Sequence, residues 1–258
     1  MPEEIKKVRH PIDEMFADFG FYKDPKMLKV EFWGLIDTKS ANAAGIEKYL
    51  ELLSYIQYAW QKVLKYEKYF AVFYTSDQSI ENFEALYHHI HAYLQDMDTL
   101  KNKIEVFFGA LKNDLKKSAS NKEDVIAFID AGIKKTYEVF DGILKYRHPH
   151  VHSGMRFMDG DLLKAETAHF AIEMFSNPTF DALLNQEYKP ELIAKFEKEK
   201  KESFEVARAR WVGMAHNNNE QTSGYLDSLL EAVRPSLYQF LNIKSVKEAI
   251  EEAKNKRE

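Results

Sequence analysis

The residue types best suited to chemistry are concentrated in residues 145–154, which read KYRHPHVHSG. This stretch carries Arg147 and three of the chain's nine histidines, His148, His150 and His152. A histidine can take or give a proton near neutral pH, and an arginine can hold a phosphate through two donors and stabilise its charge. In RNA the 2′-hydroxyl is an internal nucleophile, so a base, an acid and an anion stabiliser are sufficient. Arg147 and His152 therefore indicate phosphodiester cleavage without a metal.

Two other interpretations of this stretch remain open at the level of the sequence. If residues 148–152 were extended, the three histidines would point to one side and could bind zinc with an open coordination position. Pro149 and the Ser-Gly that follows favour a turn, and Arg147 would set a positive charge beside the metal. In the second interpretation Arg147 satisfies the end of a helix and His152 caps or hydrogen-bonds the next segment.

Two further spacings elsewhere in the chain could hold a metal. Glu166 and His169 form an ExxH unit, but carboxylate-bridged di-iron bundles use a pair of these units on separate helices. His88 and His91 share a helix face. The apolar spacing around them places both on the outer side of the helix, with His89 beside the core. The sequence therefore predicts surface histidines, and a solvated glutamate beside a half-buried histidine.

The charge distribution gives only a weak indication of nucleic-acid binding. The net charge of −5 provides no global basic field, so a nucleic-acid partner would need a local patch. Arg208, Arg210 and Trp211 combine guanidinium groups with an aromatic ring, and they are the best such cluster. Other lysine-rich runs are short or mixed with acids, which is typical of solvated helix faces.

The composition excludes several classes of protein and site. The chain has no cysteine, which excludes disulfides, thiolate zinc sites and thiol catalysis. No apolar run suited to a signal peptide occurs at the N-terminus, and no segment approaches the roughly 18 apolar residues of a membrane span. We therefore expect a cytoplasmic protein without a membrane partner. A hydrophobic share of 45% permits a full core.

Helical periodicity dominates the first half of the chain after residue 40. Residues 41–73 carry apolar side chains at steps of three and four. Beyond a cap at Ser79, a sustained heptad predicts one long helix. Its seam is Phe83, Leu86, Ile90, Tyr93, Met97, Leu100, Ile104, Phe107 and Leu111. A third helix is predicted to begin after Ser120-Asn121 and to end near Tyr146 or Arg147, because the residue before a proline is pushed out of the helical region.

The second half of the chain is less regular. Residues 153–180 fit either a helix or a strand lying beside residues 28–36. A long helix is predicted from Pro190 to about His216, followed by a loop at NNNEQTSG and another helix at about 225–234. Pro235 predicts a break or kink. Ser245 is predicted to cap a charged helix at the C-terminus.

These elements predict a mainly α protein, an elongated up-down bundle of several helices with a short strand pair as an alternative. We expect one domain over residues 1–258. It has a lead-in at 1–40, the helical bundle at 41–240 and a charged terminal helix at 241–258. Short joins between helices favour antiparallel neighbours.

The motif in this helical context resembles the HEPN superfamily of helical bundles. The signature of that family is an arginine, a polar residue and a short variable run that ends in histidine, and RHPHVH at residues 147–152 matches it. The sequence YRHPHVHSG is also similar to sequences found in uncharacterised bacterial members of this family. The resemblance covers residues 121–155 most firmly and the bundle from residue 79 more loosely. His148 is an accepted polar residue after the arginine, whereas Pro149 departs from the commoner asparagine-led form of the motif.

The resemblance implies a metal-independent endoribonuclease in which two copies of the chain form one cleft. Arg147 and His152 would be the catalytic pair and His148 the polar helper that orients them. Tyr146, His150 and Ser153 would contact the RNA substrate. No cofactor is implied, and the partners would be RNA, a second copy and, for a toxin-type enzyme, an antitoxin-type protein. The alternative is a non-catalytic helical binding module, with residues 147–154 as a structural turn or ligand contact.

Overall fold

A computed structural model describes residues 10–27, 38–74, 76–77, 79–118, 121–152, 159–180 and 186–255. Within these ranges the side chains of residues 27, 118, 147–152, 180 and 253 are not described. Every regular element in the described part of the chain is helical, which confirms the mainly α prediction. The strand predicted as an alternative at residues 28–36 lies outside the described residues.

Eight α-helices occur in the described part of the chain. They are α1 (Pro11–Lys23), α2 (Ala43–Leu64), α3 (Tyr66–Val72), α4 (Asn82–Ser118), α5 (Lys122–His152), α6 (Gly160–Ser176), α7 (Lys189–Leu241) and α8 (Val246–Asn255), with short 3₁₀ helices at Pro25–Met27 and Pro178–Phe180. The ambiguous stretch before residue 180 therefore contains a helix, α6. None of the helices in the described ranges combines the length and apolarity needed to cross a membrane.

The heptad seam predicted for α4 is confirmed. All nine of its apolar positions between Phe83 and Leu111 are buried, none more than 4% exposed. The predicted cap at Ser79 is wrong, because Ser79 Oγ donates to Asp77 at 2.8 Å and the helix begins later. The Glu84 carboxylate accepts from the backbone N–H of Glu81 at 2.9 Å and so satisfies a donor at the true start of the helix.

The predicted starts of α5 and α8 are confirmed by their capping contacts. Asn121 Oδ1 accepts from the backbone N–H groups of Glu123 at 3.2 Å and Asp124 at 3.4 Å. Ser245 Oγ accepts from the backbone N–H of Glu248 at 3.2 Å, and the Glu248 carboxylate accepts from the backbone N–H of Ser245 at 3.0 Å. This reciprocal pair is a capping box, which the sequence signals through a serine three residues before a glutamate.

The loop predicted at NNNEQTSG is wrong, because α7 runs through it without interruption. Polar side chains in this stretch have tertiary partners that a sequence pattern does not reveal. Asn218 Nδ2 donates to the hydroxyl of Tyr93 at 3.0 Å, and Ser223 Oγ accepts from Trp60 Nε1 at 3.2 Å. These contacts favour the helix over the local turns that such residues prefer in isolation.

Prolines do not end the two helices in which they lie. The predicted end of α5 just before Pro149 is wrong, because the helix continues to His152. Likewise α7 continues beyond Pro235 to Leu241. A proline removes one backbone hydrogen bond and crowds the preceding turn, which is enough to end a marginal helix. Both helices here exceed 30 residues, and a single lost bond does not end them.

The chain forms two compact units, each built from separated segments. Unit 1 contains Met1–Trp60, Thr99–Phe140 and Gln221–Glu258, and unit 2 contains Gln61–Asp98 and Asp141–Glu220. The long helices α4, α5 and α7 each supply residues to both units. The organisation predicted from the sequence, with a lead-in at 1–40, a bundle at 41–240 and a terminal helix at 241–258, stays a prediction.

In unit 1 a buried carboxylate ties α8 to α1. Asp18 is 6% exposed and accepts from the Tyr238 hydroxyl at 2.6 Å and from the backbone N–H of Val246 at 2.8 Å. Burial raises the pKa of Asp18 above its ordinary value of 3.8, although the hydrogen bonds from Tyr238 and Val246 oppose this shift. The carboxylate therefore accepts a hydrogen bond from a backbone N–H in the first turn of α8, although the burial of its negative charge is unfavourable.

This arrangement predicts the pH dependence of one substitution, Asp18→Asn. An acid whose pKa is raised by folding contributes stability that is present below its unfolded pKa and is lost as the pH rises through the folded pKa. The free energy of unfolding of the native chain, minus that of Asp18→Asn, should therefore be highest below pH 3.8 and fall as the pH rises. Urea denaturation of both proteins across this range measures the difference. A difference that grows with pH would contradict the assignment.

Candidate functional site

The backbone of the motif is helical. Residues 147–152 form the C-terminal end of α5, so the extended backbone on which the three-histidine zinc interpretation depended is absent. The side chains of Arg147, His148, His150 and His152 are outside the described part of the structure, as is the whole of Ser153.

Helix geometry fixes the spacing of the backbone positions that carry the predicted catalytic pair. An α-helix turns by about 100° and rises by about 1.5 Å per residue. Positions 147 and 152 are therefore separated by about 140° around the axis and by about 7.5 Å along it. Positions 148 and 152, four residues apart, lie on the same side of the helix.

Tyr146, immediately before the motif, packs against the interior of unit 2. Its ring centroid lies 6.0 Å from that of Trp211 on α7, with the rings nearly perpendicular. Tyr146 remains 43% exposed, whereas Trp211 is 1% exposed and also contacts Phe70. Edge-to-face contacts of this kind add to the burial of the rings. The start of the motif is therefore fixed to the core while part of the Tyr146 ring stays accessible.

Asp159 begins α6 and lies at the other end of the segment that follows the motif. Its Oδ1 accepts from the backbone N–H groups of Asp161 at 3.0 Å and Leu162 at 3.2 Å, as an N-cap does. The same carboxylate accepts from Arg210 Nη2 at 2.8 Å and from the indole Nε1 of Trp211 at 2.9 Å. Asp159 is 7% exposed, so these four donors reach a buried carboxylate.

Both flanks of the motif segment thus contact the same turn of α7. Tyr146 reaches Trp211 from the end of α5, and Asp159 reaches Arg210 and Trp211 from the start of α6. Asp161 adds a second carboxylate at 2.8 Å from Arg210. Hydrogen bonds from Lys164 and from Arg210 hold the pKa of Asp161 below its ordinary value. The residues on either side of 147–158, Tyr146 and Asp159, therefore both contact Trp211 on α7.

Comparisons with known proteins give no family for this chain. No family model, curated protein or solved structure matches it. The functional interpretation of the motif therefore depends on its residues and on the geometry around them.

The arginines of the predicted basic cluster form hydrogen bonds and ion pairs with other residues of the chain. Arg210 is paired with the two aspartates at the start of α6. Arg208 donates through Nη1 to the backbone carbonyl of Ala71 at 2.8 Å and pairs with Glu205. Trp211 is buried. The prediction of a nucleic-acid patch at these three residues is not supported by this arrangement, since their hydrogen-bonding groups bind protein partners.

The histidines outside the motif have structural surroundings. His88 is exposed and His89 is buried, as predicted, and His89 Nε2 donates to the backbone carbonyl of Phe73 at 2.7 Å. His91 is half-buried. Within the described part of the chain, no group of three or more potential ligand side chains is arranged to hold a metal ion.

The ExxH histidine, His169, lies in a cluster of carboxylates. Its Nδ1 is 3.5 Å from Glu81 at the start of α4, and its Nε2 is 3.5 Å from Glu173 on its own helix. Glu81 is also 3.4 Å from Lys200 on α7. Glu166 and His169 are both half-buried, so the expected half-buried histidine is confirmed and the expected solvated glutamate is partly covered.

Sequence reasoning missed the role of Asp159. No helix cap was predicted within residues 153–180, which fit either a helix or a strand. An aspartate directly before a run of apolar residues at helical spacing is also an N-cap signal, and that signal was available. The indole and guanidinium partners were not predictable, because they come from α7, about 50 residues later in the chain.

Proposed function

We propose that this chain is a metal-independent endoribonuclease of HEPN type that works as a homodimer. The observation that carries the proposal is the position of the Arg147-to-His152 motif at the C-terminal end of α5, in a segment anchored at both flanks to one turn of α7. A catalytic group must be held on a rigid element to reach a phosphate with the right geometry. The mainly α architecture is the one that the resemblance implies.

The proposed reaction is an internal transfer at a phosphodiester. A base takes the proton of the 2′-hydroxyl, the 2′-oxygen forms a bond to phosphorus, and the bond from phosphorus to the 5′-oxygen breaks. The departing 5′-oxygen takes a proton from an acid. The products are a 2′,3′-cyclic phosphate and a 5′-hydroxyl. His152 moves the proton at one of these two oxygens, and Arg147 binds the phosphate and stabilises its developing charge.

The remaining motif residues have supporting roles in this proposal. His148 orients the pair, one helical turn before His152. Tyr146 offers an exposed aromatic surface on which a base can stack, a contact worth about 1–3 kcal/mol in single-strand binding. His150 and Ser153 contact the RNA. The reaction needs a base, an acid and an anion stabiliser, and two copies of the motif supply two histidines and two arginines for these roles, so the proposal includes no cofactor.

A dimer provides two copies of the motif at one cleft. Positions 147 and 152 lie on different sides of α5, so a second copy would complete the set of groups around one phosphate. A cytoplasmic toxin-type role, with an antitoxin-type protein as partner, is a further part of the proposal and is implied by the family resemblance.

The test is cleavage of single-stranded RNA by the purified chain in the presence of EDTA. We expect cleavage without added metal, with fragments that carry 2′,3′-cyclic phosphate and 5′-hydroxyl ends. A matched RNA with one 2′-deoxy residue should resist cleavage at that position only. Cleavage that EDTA abolishes, or fragments with 5′-phosphate ends, would contradict the mechanism.

The alternative is a helical binding module without catalysis. Intact RNA after prolonged incubation, together with measurable RNA binding, would favour this alternative. The partial exposure of Tyr146 is compatible with either function, whereas the product ends distinguish them directly.

A further inference from the structure

A groove in unit 2 is lined by described residues around the start of α4 and on α6 that do not belong to the motif. It lies between the start of α4 and one face of α6 and has a volume of about 830 Å³. Its α6 wall includes Leu163, Thr167 and Phe170, which are three and four residues apart and so share one face of the helix. Among the residues that the structure describes, Leu163 and Phe170 on this face of α6 are accessible to solvent.

The apolar part of the groove is unusually exposed for large side chains. Phe170 is 66% exposed and Leu163 is 37% exposed. Tyr87, on α4, also lines the groove. Exposed aromatic and aliphatic side chains that line one concave surface are characteristic of interaction sites, whereas single scattered ones are common on any surface.

The rest of the lining contains four glutamates, together with Ser79 and His169, and the imidazole of His169 lies 3.5 Å from both Glu81 and Glu173. Glu81 and Glu84 come from α4, and Glu166 and Glu173 come from α6. Among the described residues that line the groove there is no lysine or arginine. Lys200 on α7 lies 3.4 Å from Glu81, and the Glu173 side chain is 65% exposed. The described lining therefore combines apolar side chains with four glutamates.

We propose that this groove binds a basic amphipathic helix of a partner protein. An amphipathic helix can place an apolar stripe against a groove of this kind, with anchors at i, i+3 or i+4 and i+7. Lysines or arginines that flank the stripe would meet the glutamates of the lining, which increases the association rate and selects against acidic partners. Charge complementarity thus specifies the occupant, and the inference does not depend on RNA cleavage.

The experiment uses the full chain and a fluorescent synthetic probe. The probe is a 14-residue peptide with leucines at helical spacing on one face and lysines elsewhere. A control peptide carries glutamate in place of every lysine. Fluorescence anisotropy at low salt measures both affinities for the native chain and for two groove variants, Phe170→Ser and Glu173→Lys. Both substituted side chains are more than 60% exposed, so neither change should disturb folding.

Matched control variants come from the other unit. Phe128→Ser and Glu138→Lys make the same substitutions at exposed residues of a different groove, between α5 and α7 in unit 1. Circular dichroism verifies that all four variants remain folded. If the cationic peptide bound non-specifically, its affinity would change to the same extent in the groove variants and in the control variants.

We expect the lysine peptide to bind the native chain at least tenfold more tightly than the glutamate peptide. Phe170→Ser should weaken binding by about tenfold, the effect of losing one buried aromatic contact, and Glu173→Lys should weaken it in a salt-dependent manner. The control variants should bind like the native chain. Equal affinity in Phe170→Ser and the native chain would overturn the proposal. Self-association that Phe170→Ser abolishes would assign the groove to a second copy and would also overturn it.

Discussion

Replacing Asp159 by alanine is expected to lower the free energy of unfolding by about 1.5–5 kcal/mol. The loss has two main sources. Removing an N-cap costs about 0.5–2 kcal/mol, and leaving the buried indole N–H of Trp211 without an acceptor costs about 1–3 kcal/mol. Urea denaturation followed by circular dichroism measures the change. Arg210 retains Asp161 as a partner, so its contribution to the loss is small.

Asp161, which pairs with the same arginine, provides a matched control. Asp161→Ala removes a carboxylate that pairs with Arg210 and Lys164 but neither caps α6 nor contacts Trp211, and it should cost no more than about 1 kcal/mol. A double-mutant cycle isolates the indole contact. In a Trp211→Phe background, Asp159→Ala should cost less than in the native chain, because the buried donor is absent. Equal losses for Asp159→Ala and Asp161→Ala would contradict this account of the anchor.

Replacing Gly132 by alanine is expected to destabilise the chain by about 1–3 kcal/mol. A methyl group at this position would lie 2.6 Å from Cε1 of Phe108 and would also meet Cζ of the same ring. The glycine backbone cannot readily retreat, because its carbonyl accepts from Thr136 Oγ1 at 3.0 Å and from the Tyr225 hydroxyl at 3.2 Å. The buried Phe108 ring must therefore move.

Gly142 on the same helix provides the control. A methyl group there meets nothing within 4 Å, so Gly142→Ala should stabilise the chain by about 0.5–1 kcal/mol through helix propensity. The double substitution Gly132→Ala with Phe108→Leu should recover part of the loss from Gly132→Ala alone. Denaturation curves of these variants test both statements. Stabilisation by Gly132→Ala comparable with that by Gly142→Ala would show that the ring contact is unimportant.

The sequence predicts α4 well because its stability comes from a repeated pattern. Seven-residue spacing from Phe83 to Leu111 is set by the geometry of the helix and needs no information from the rest of the chain. The caps at Asn121 and Ser245 are likewise local, since each serves backbone groups two or three residues away. Patterns that involve residues only a few positions apart can therefore be recognised from the sequence alone.

The continuity of α7 is not predictable in the same way. Asn218 and Ser223 belong to residue types that favour turns when they have no other partner. Their partners, Tyr93 and Trp60, lie more than 120 residues away in sequence. The tertiary contacts that keep the helix intact are therefore invisible in a local window.

The candidate site was predictable in its residue types but not in its setting. Arg147 and His152 are recognisable from their chemistry and spacing, and their catalytic role stays a prediction. The proline between them indicated a turn, whereas the backbone is helical to His152. The anchoring of the segment through Asp159 depends on Trp211, which the sequence marked only as a neighbour of two arginines.

The most direct test of the central claim compares three variants in the RNA cleavage assay with EDTA. Arg147→Ala and His152→Ala should each lower the rate at least about 100-fold, since each removes a group that acts on the reacting phosphate. His88→Ala, which changes an exposed histidine on α4, should cleave like the native chain. Circular dichroism must show that all three are folded. Cleavage at the native rate by Arg147→Ala or His152→Ala, or no cleavage by the native chain itself, would contradict the proposed function.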